Sequence, residues 1–230
     1  MRRLRPRARL LGLAAASAAP VVYASWIRPR MRSWGATQAE TTCTFPGDEL
    51  ILDPNGGATM GTTLPAPPER VWPWLVQMGG GRGGWYSWDW ADNAGEPSAD
   101  RIVPEWQDLE VGQHLQRPAS PAAPQSPTNW WTVVILEPNR TLVLQTSYDL
   151  LGQSFDPRTG PLPWASTEGT WGFYLNEAPK GRTRLVVRTR SRGRPSLLMR
   201  PLGLLGGEPV HFIMQTRQFH NLRTRVGADI

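Results

Sequence analysis

Hydrophobic and polar positions along this chain change period twice, and the changes mark out its elements. Ala58–Leu64 reads as a short strand. Pro67-Pro68 then opens a helix, because the N–H that proline lacks is unpaired in a first turn anyway. Val71, Trp74, Leu75 and Met78 follow at i, i+3, i+4 and i+7, one apolar helical face, with Pro73 inside the run predicting a kink or a short helix. After residue 129 the period drops to two. Trp130–Leu136 and Thr141–Thr146 are β-branched, apolar runs around Glu137-Pro138-Asn139-Arg140, which reads as a type I turn. Thr170–Asn176 and Thr183–Arg190 form a second hairpin around Ala178-Pro179-Lys180-Gly181. Trp171, Phe173 and Leu175 share one face of it with Leu185 and Val187, and Arg184, Arg188 and Arg190 take the opposite, wet face. The helical period returns over roughly Glu208–Val226, where Phe212, Phe219, Leu222 and Val226 line one stripe that also holds Gln215. This order predicts an α+β domain with an antiparallel sheet and its last helix packed across the sheet.

The N-terminal part follows another logic. Leu10–Ile27 contains eighteen residues without a formal charge, near the lower limit for crossing a hydrocarbon core of about 30 Å. Pro20 interrupts it, and Trp26 stands where an interfacial aromatic is expected. Three readings are open: an uncleaved transmembrane anchor, a signal peptide cut at a small-residue site such as Ala16-Ser17-Ala18, or a soluble helical tail. The first is the working expectation and makes the protein membrane-anchored, with the membrane as a partner. Five Arg precede the segment and three follow it, so orientation stays open. The division is then residues 1–32 as a basic tail, 33–57 as a linker lying on the domain and 58–230 as the domain.

Charge sharpens this division. The chain carries a net +6, but residues 1–32 hold eight Arg and no acid, which leaves 33–230 at −2. The folded part lacks the basic footprint that nucleic-acid binding requires, and no nucleic-acid partner is expected. Cys43 is the single cysteine, so no intrachain disulfide or CxxC motif exists; it reads as a buried thiol. His114, His211 and His220 have no metal-ligand spacing, and no metal is expected. Gly79, Gly81 and Gly84 match GxGxxG, but a helix precedes them and a Trp-rich segment follows. A dinucleotide fingerprint needs a strand before and a long helix after. The run reads as a flexible connector, and no cofactor is expected.

Four stretches carry a family resemblance. Pro-Pro-Glu-Arg-Val-Trp-Pro-Trp-Leu-Val-Gln-Met-Gly (67–79), Gly-Trp-Tyr-Ser-Trp-Asp-Trp-Ala-Asp-Asn (84–93), Ala-Asp-Arg-Ile-Val-Pro-Glu-Trp-Gln-Asp-Leu-Glu-Val-Gly (99–112) and His-Phe-Ile-Met-Gln (211–215) resemble a group within the SRPBCC superfamily. With the Pro-Gly-Asp-Glu-Leu lead-in (46–50), the resemblance spans about Gly47–Val226. It implies a helix-grip fold of the Bet v 1 and START type, a curved antiparallel sheet gripping a long C-terminal helix over a cavity. That superfamily includes lipid carriers, aromatic cyclases and hydratases, and co-chaperones, so the fold leaves function undecided.

The block from Trp85 to Asn93 is the leading candidate site. Trp85, Tyr86, Trp88 and Trp90 offer flat apolar walls, with Asp89 and Asp92 as interleaved polar handles. Packing of these tryptophans into a core, with the acids capping locally, is the competing reading. Arg101 either pairs with neighbouring acids or presents a charged rim. Tyr174 and Gln215 are polar groups placed to project into an apolar cavity, where each needs a partner. The expected function is binding of a hydrophobic small molecule such as a lipid, an isoprenoid or a polyketide-like compound. The alternative is a cyclase or dehydratase using Asp89, Tyr86 or His211 for acid–base work.

Overall fold

Antiparallel strands and a long final helix carry the architecture. The computed structural model describes residues 20–116, 129–157 and 160–227. Residues 10–19 of the N-terminal apolar segment and the Pro/Ala-rich stretch 118–127 lie outside them. In chain order the elements are α1 (Arg28–Arg32), α2 (Gln38–Thr42), β1 (Gly56–Leu64), α3 (Pro68–Val76), α4 (Asp89–Asp92) and β2 (His114–Gln116). There follow β3 (Trp130–Glu137), β4 (Thr141–Asp149), β5 (Ser166–Ala178), β6 (Arg182–Arg194), α5 (Ser196–Leu202) and α6 (Glu208–Gly227). Wide π-helical turns at Tyr23–Ile27 and Gly203–Gly207 lead into α1 and α6. Among the described residues the strands form one six-stranded sheet in the order β1-β6-β5-β4-β3-β2, antiparallel throughout.

The pattern of the sequence explains which face is which. Phe173, Leu175, Leu185 and Val187 point into the main core with Met60 and Leu142, under Phe219, Leu222 and Val226 of α6 and Val71, Trp74 and Leu75 of α3. Pro73 is accommodated inside α3, which stays short at nine residues. The β3–β4 turn closes with Arg140 N donating to Glu137 O at 3.0 Å. Asn139 sits there at φ 62°, the positive value that a type II turn needs and a type I turn does not.

The other face is not bare. Val143, Tyr174 and Val186 form a second apolar cluster against Phe45 and Ile135. The arginines expected to be wet are paired with acids of the segment before β1: Arg188 Nε donates to Asp48 Oδ1 at 2.9 Å, and Arg184 holds both oxygens of Glu40 at 2.8 and 2.7 Å. A row of cations without partners on its own strand draws the acids of residues 40–48 onto the sheet. A capping box between Thr37 and Glu40 fixes α2 in place for that pairing. Cys43, in the same segment, is exposed rather than buried.

The transmembrane expectation for Leu10–Ile27 does not hold. Among the described residues no helix is long and apolar enough to cross a membrane, and the membrane-anchored reading falls with it. From Tyr23 onward the segment is tied to the body of the protein by hydrogen bonds, while Val21, Val22 and Trp26 stay exposed. Tyr23 Oη donates to Leu204 O at 2.7 Å, and Arg28 makes two bonds to Glu208 at 2.7 and 2.8 Å. Arg28 and Arg32, which follow the apolar stretch, are therefore used within the fold. The sheet margins are occupied as well. Arg32 Nε donates to Gly57 O at 2.5 Å and Gly61 N to Trp34 O at 3.0 Å along β1, while β2 is only three residues long and its Gln116 O accepts from Gly80 N at 3.3 Å.

Candidate functional site

Side-chain size falls steadily along the concave face of the sheet, and a cavity opens where it is smallest. Across the strands in register, Met60, Val187, Phe173 and Leu142 make one inward row. Ala58, Thr189, Trp171 and Leu144 make the next, and Gly56, Ser191, Gly169 and Thr146 the third. Large residues fill the space under the C-terminal half of α6. Under its first turns, near His211, Phe212 and Gln215, the small third row leaves a cavity of about 520 Å³. Met31, Arg32, Leu204 and Glu208 border it on the side where the N-terminal segment meets the turn before α6.

Three tryptophans stand together in the wall. Trp85 stacks on Trp171 at 5.4 Å and 22°, and Trp131 meets Trp171 at 5.7 Å and 51°; all three line the cavity. A chain of hydrogen bonds fixes this wall. Trp171 Nε1 donates to Gln215 Oε1 at 3.3 Å, Gln215 Nε2 to Gln218 Oε1 at 2.7 Å, and Gln218 Nε2 to Trp85 O at 2.8 Å. Gln215 thus lies in the cavity wall, as the stripe on α6 implied, but its carboxamide is engaged by protein partners.

Trp85 and Asp92 bring buried polar atoms to the wall. Asp92 is 1 % exposed and neither carboxylate oxygen has a hydrogen-bond partner. Burial, reinforced by the nearby Asp89 charge, pushes its carboxyl up to about 7; the Ser87 hydroxyl beside it, which donates to Met214 O, pulls the other way. Trp85 Nε1 is equally buried and equally without a partner. His211 also faces the cavity, and burial lowers its imidazole to about 4, so the ring is neutral at neutral pH. Among the described residues no group of three or more His, Cys, Asp or Glu could hold a metal ion.

The other sequence candidates lie elsewhere. Tyr86 is fully buried beside α3: its Oη accepts from Gln77 Nε2 at 2.8 Å, and burial raises its phenol. Asp89 accepts from Ser98 Oγ at 2.6 Å and does not line the cavity. Trp88 is 38 % exposed, with the Arg217 guanidinium 4.6 Å from its ring centre, and Trp90 is 67 % exposed. Arg101 is exposed, while its carbonyl accepts from Gln77 Nε2 at 3.0 Å. Tyr174 belongs to the opposite face of the sheet, where its Oη donates to Pro46 O at 2.7 Å. The glycine run is a closed turn rather than a flexible connector, with Gly79 N donating to Gly84 O at 3.0 Å and Gly84 N to Gly79 O at 3.1 Å.

The cavity therefore brings together Trp85, Asp92, Gln215 and His211 from the sequence candidates and adds Trp131 and Trp171. One signal for the cavity was present in the sequence. Gly169 shares the parity of Trp171 and Phe173 in its strand, and Ser191 and Gly193 share that of Val187, so small residues replace large ones on the inward face.

No family model matches the chain, and no curated protein matches it. Among solved structures, it is similar to a protein from Nitrosomonas europaea at 15% identity, over 78% of this chain and 99% of that one, with a TM-score of 0.46. A Mesorhizobium loti protein is 17% identical over 76% and 99%, with a TM-score of 0.43. DynU16, a protein of the dynemicin biosynthetic locus, is 16% identical over 73% and 47%, with a TM-score of 0.39. None of these likenesses, at TM-scores below 0.5, assigns a chemistry to the cavity.

Proposed function

We propose that this protein binds a hydrophobic small molecule, a lipid, isoprenoid or polyketide-like compound, inside a helix-grip fold. The observation that carries this reading is the cavity of about 520 Å³ between the small-residue end of the sheet and the first turns of α6. Its volume falls in the range of about 300–1,000 Å³ over which proteins enclose small ligands. The surface it exposes is mostly apolar, with three tryptophans grouped on one wall, as suits such a ligand. The six-stranded antiparallel sheet with α6 laid across it supports the helix-grip assignment.

A cyclase or dehydratase is a second reading, favoured by the pairing of a carboxyl near neutrality, Asp92, with a neutral imidazole, His211, in one cavity. The full chain, purified and desalted, distinguishes them. Native mass spectrometry followed by solvent extraction is expected to release one apolar molecule per chain, unchanged on prolonged incubation. An extracted compound that is converted with time by the wild type and not by Asp92→Asn supports the enzyme. A chain that carries no adduct, and takes up no neutral fluorescent dye in a saturable way, overturns both.

A further inference from the structure

The polar inventory of the cavity defines what its occupant has to offer. The Gln215–Gln218 chain satisfies itself, and Ser87 Oγ is given to Met214 O. Among the groups that remain are one donor, Trp85 Nε1, and one carboxyl, Asp92, both buried and without a partner, the first just after the glycine turn and the second at the end of α4. Leaving a buried donor or acceptor unpaired is unfavourable, more so when it is charged, so an occupant that answers both is favoured over one that answers neither.

Three head groups can be compared. A carboxylate accepts from Trp85 Nε1 but brings a second negative charge toward Asp92. The cations near the cavity edge do not offset this: Arg32 is committed to Gly57 O and lies 4.0 Å from Glu208, Arg190 is drawn to Asp48 and Ile51 O on the other face, and Arg200 is exposed to water. An ammonium group pairs with Asp92 but has no lone pair for Trp85 Nε1. A hydroxyl does both, accepting through oxygen and donating its proton.

We propose that the cavity selects an apolar molecule bearing a hydroxyl group, an alcohol or a phenol, seated with that group against Trp85 and Asp92. This rests on the small-molecule reading above and adds the head group to it. The test uses the full chain at pH 8 loaded with the neutral dye N-phenyl-1-naphthylamine, which reports cavity occupancy by its fluorescence. Decanol, decanoate and decylamine then compete for the site. Decanol is expected to displace the dye at about one tenth the concentration of either of the others, or less. Trp85→Phe removes the donor and is expected to erase most of decanol's advantage while still binding dye. Asp92→Asn removes the charge and is expected to let decanoate recover by several-fold. Equal displacement by the three probes, a lead for decanoate or decylamine, or an advantage unaltered in both variants overturns the head-group assignment alone. Absence of saturable dye binding overturns the cavity reading with it.

Discussion

A carboxyl lifted to about 7 by burial holds its proton more tightly in the folded chain than in the unfolded one, where its value is 3.8. Between those two values the native state binds more protons, so Asp92 makes stability fall as pH rises through that window, and the penalty is complete above it. It amounts to at most about 4 kcal/mol at roughly 1.4 kcal/mol per unit. Asp92→Asn removes it. The variant is expected to melt several degrees above the wild type at pH 8, with the gap less than half as large at pH 5 and closing only as the pH nears 3.8. A gap of the same size at pH 8 and pH 5 shows that Asp92 does not carry the burden. His211 acts in the opposite sense: its lowered value makes the fold lose stability as pH falls from 6.5 toward about 4. It is common to both proteins and cancels in the comparison. At this scale the sequence was least legible. It placed acids at 89 and 92 in an aromatic block, but α4 is a single turn of four residues, too short for periodicity to tell which one faces inward.

The elements themselves were largely legible. β5 and β6 extend beyond their apolar cores to thirteen residues each, yet the parity of Trp171, Phe173, Leu185 and Val187 fixed their buried face, and α6 begins at Glu208 as the returning period implied. Their far ends escaped notice because Thr, Ser and Gly there look like edge or turn residues. In the sheet they are the floor of the cavity. Ser191→Leu places a larger apolar side chain on that floor without asking the backbone for a new conformation. It is expected to weaken dye or ligand uptake at least tenfold while leaving the melting temperature within a few degrees of wild type. Unaltered uptake places the ligand somewhere other than the third row. β2 and α5 were missed for a different reason. One is three residues long, and the other is a seven-residue helix parted from β6 by Pro195 alone, too short for a helical period to show.

At the scale of the molecule, the decisive contacts join residues about 180 positions apart, which no local pattern reveals. The Arg28–Glu208 pair is bidentate and mostly shielded, with side chains 21% and 13% exposed, and it fastens the N-terminal segment beside the cavity. Arg–carboxylate pairs of this geometry are among the stronger ones. Glu208→Gln is expected to speed tryptic cleavage after Arg30 and Arg32 several-fold, with little change at sites in the sheet. Unchanged cleavage assigns the hold to Tyr23 and Arg32 instead. The same segment has a second effect, on how copies of the protein meet one another. A sheet with a long free margin recruits strands from other chains and grows into aggregates. Here the bonds to Gly57 O and Gly61 N interrupt one margin, and the other is too short to template anything. Release of the N-terminal segment therefore changes more than the rim of a cavity: it uncovers a seed for self-association, and colloidal stability in concentrated solution depends on the same few arginines.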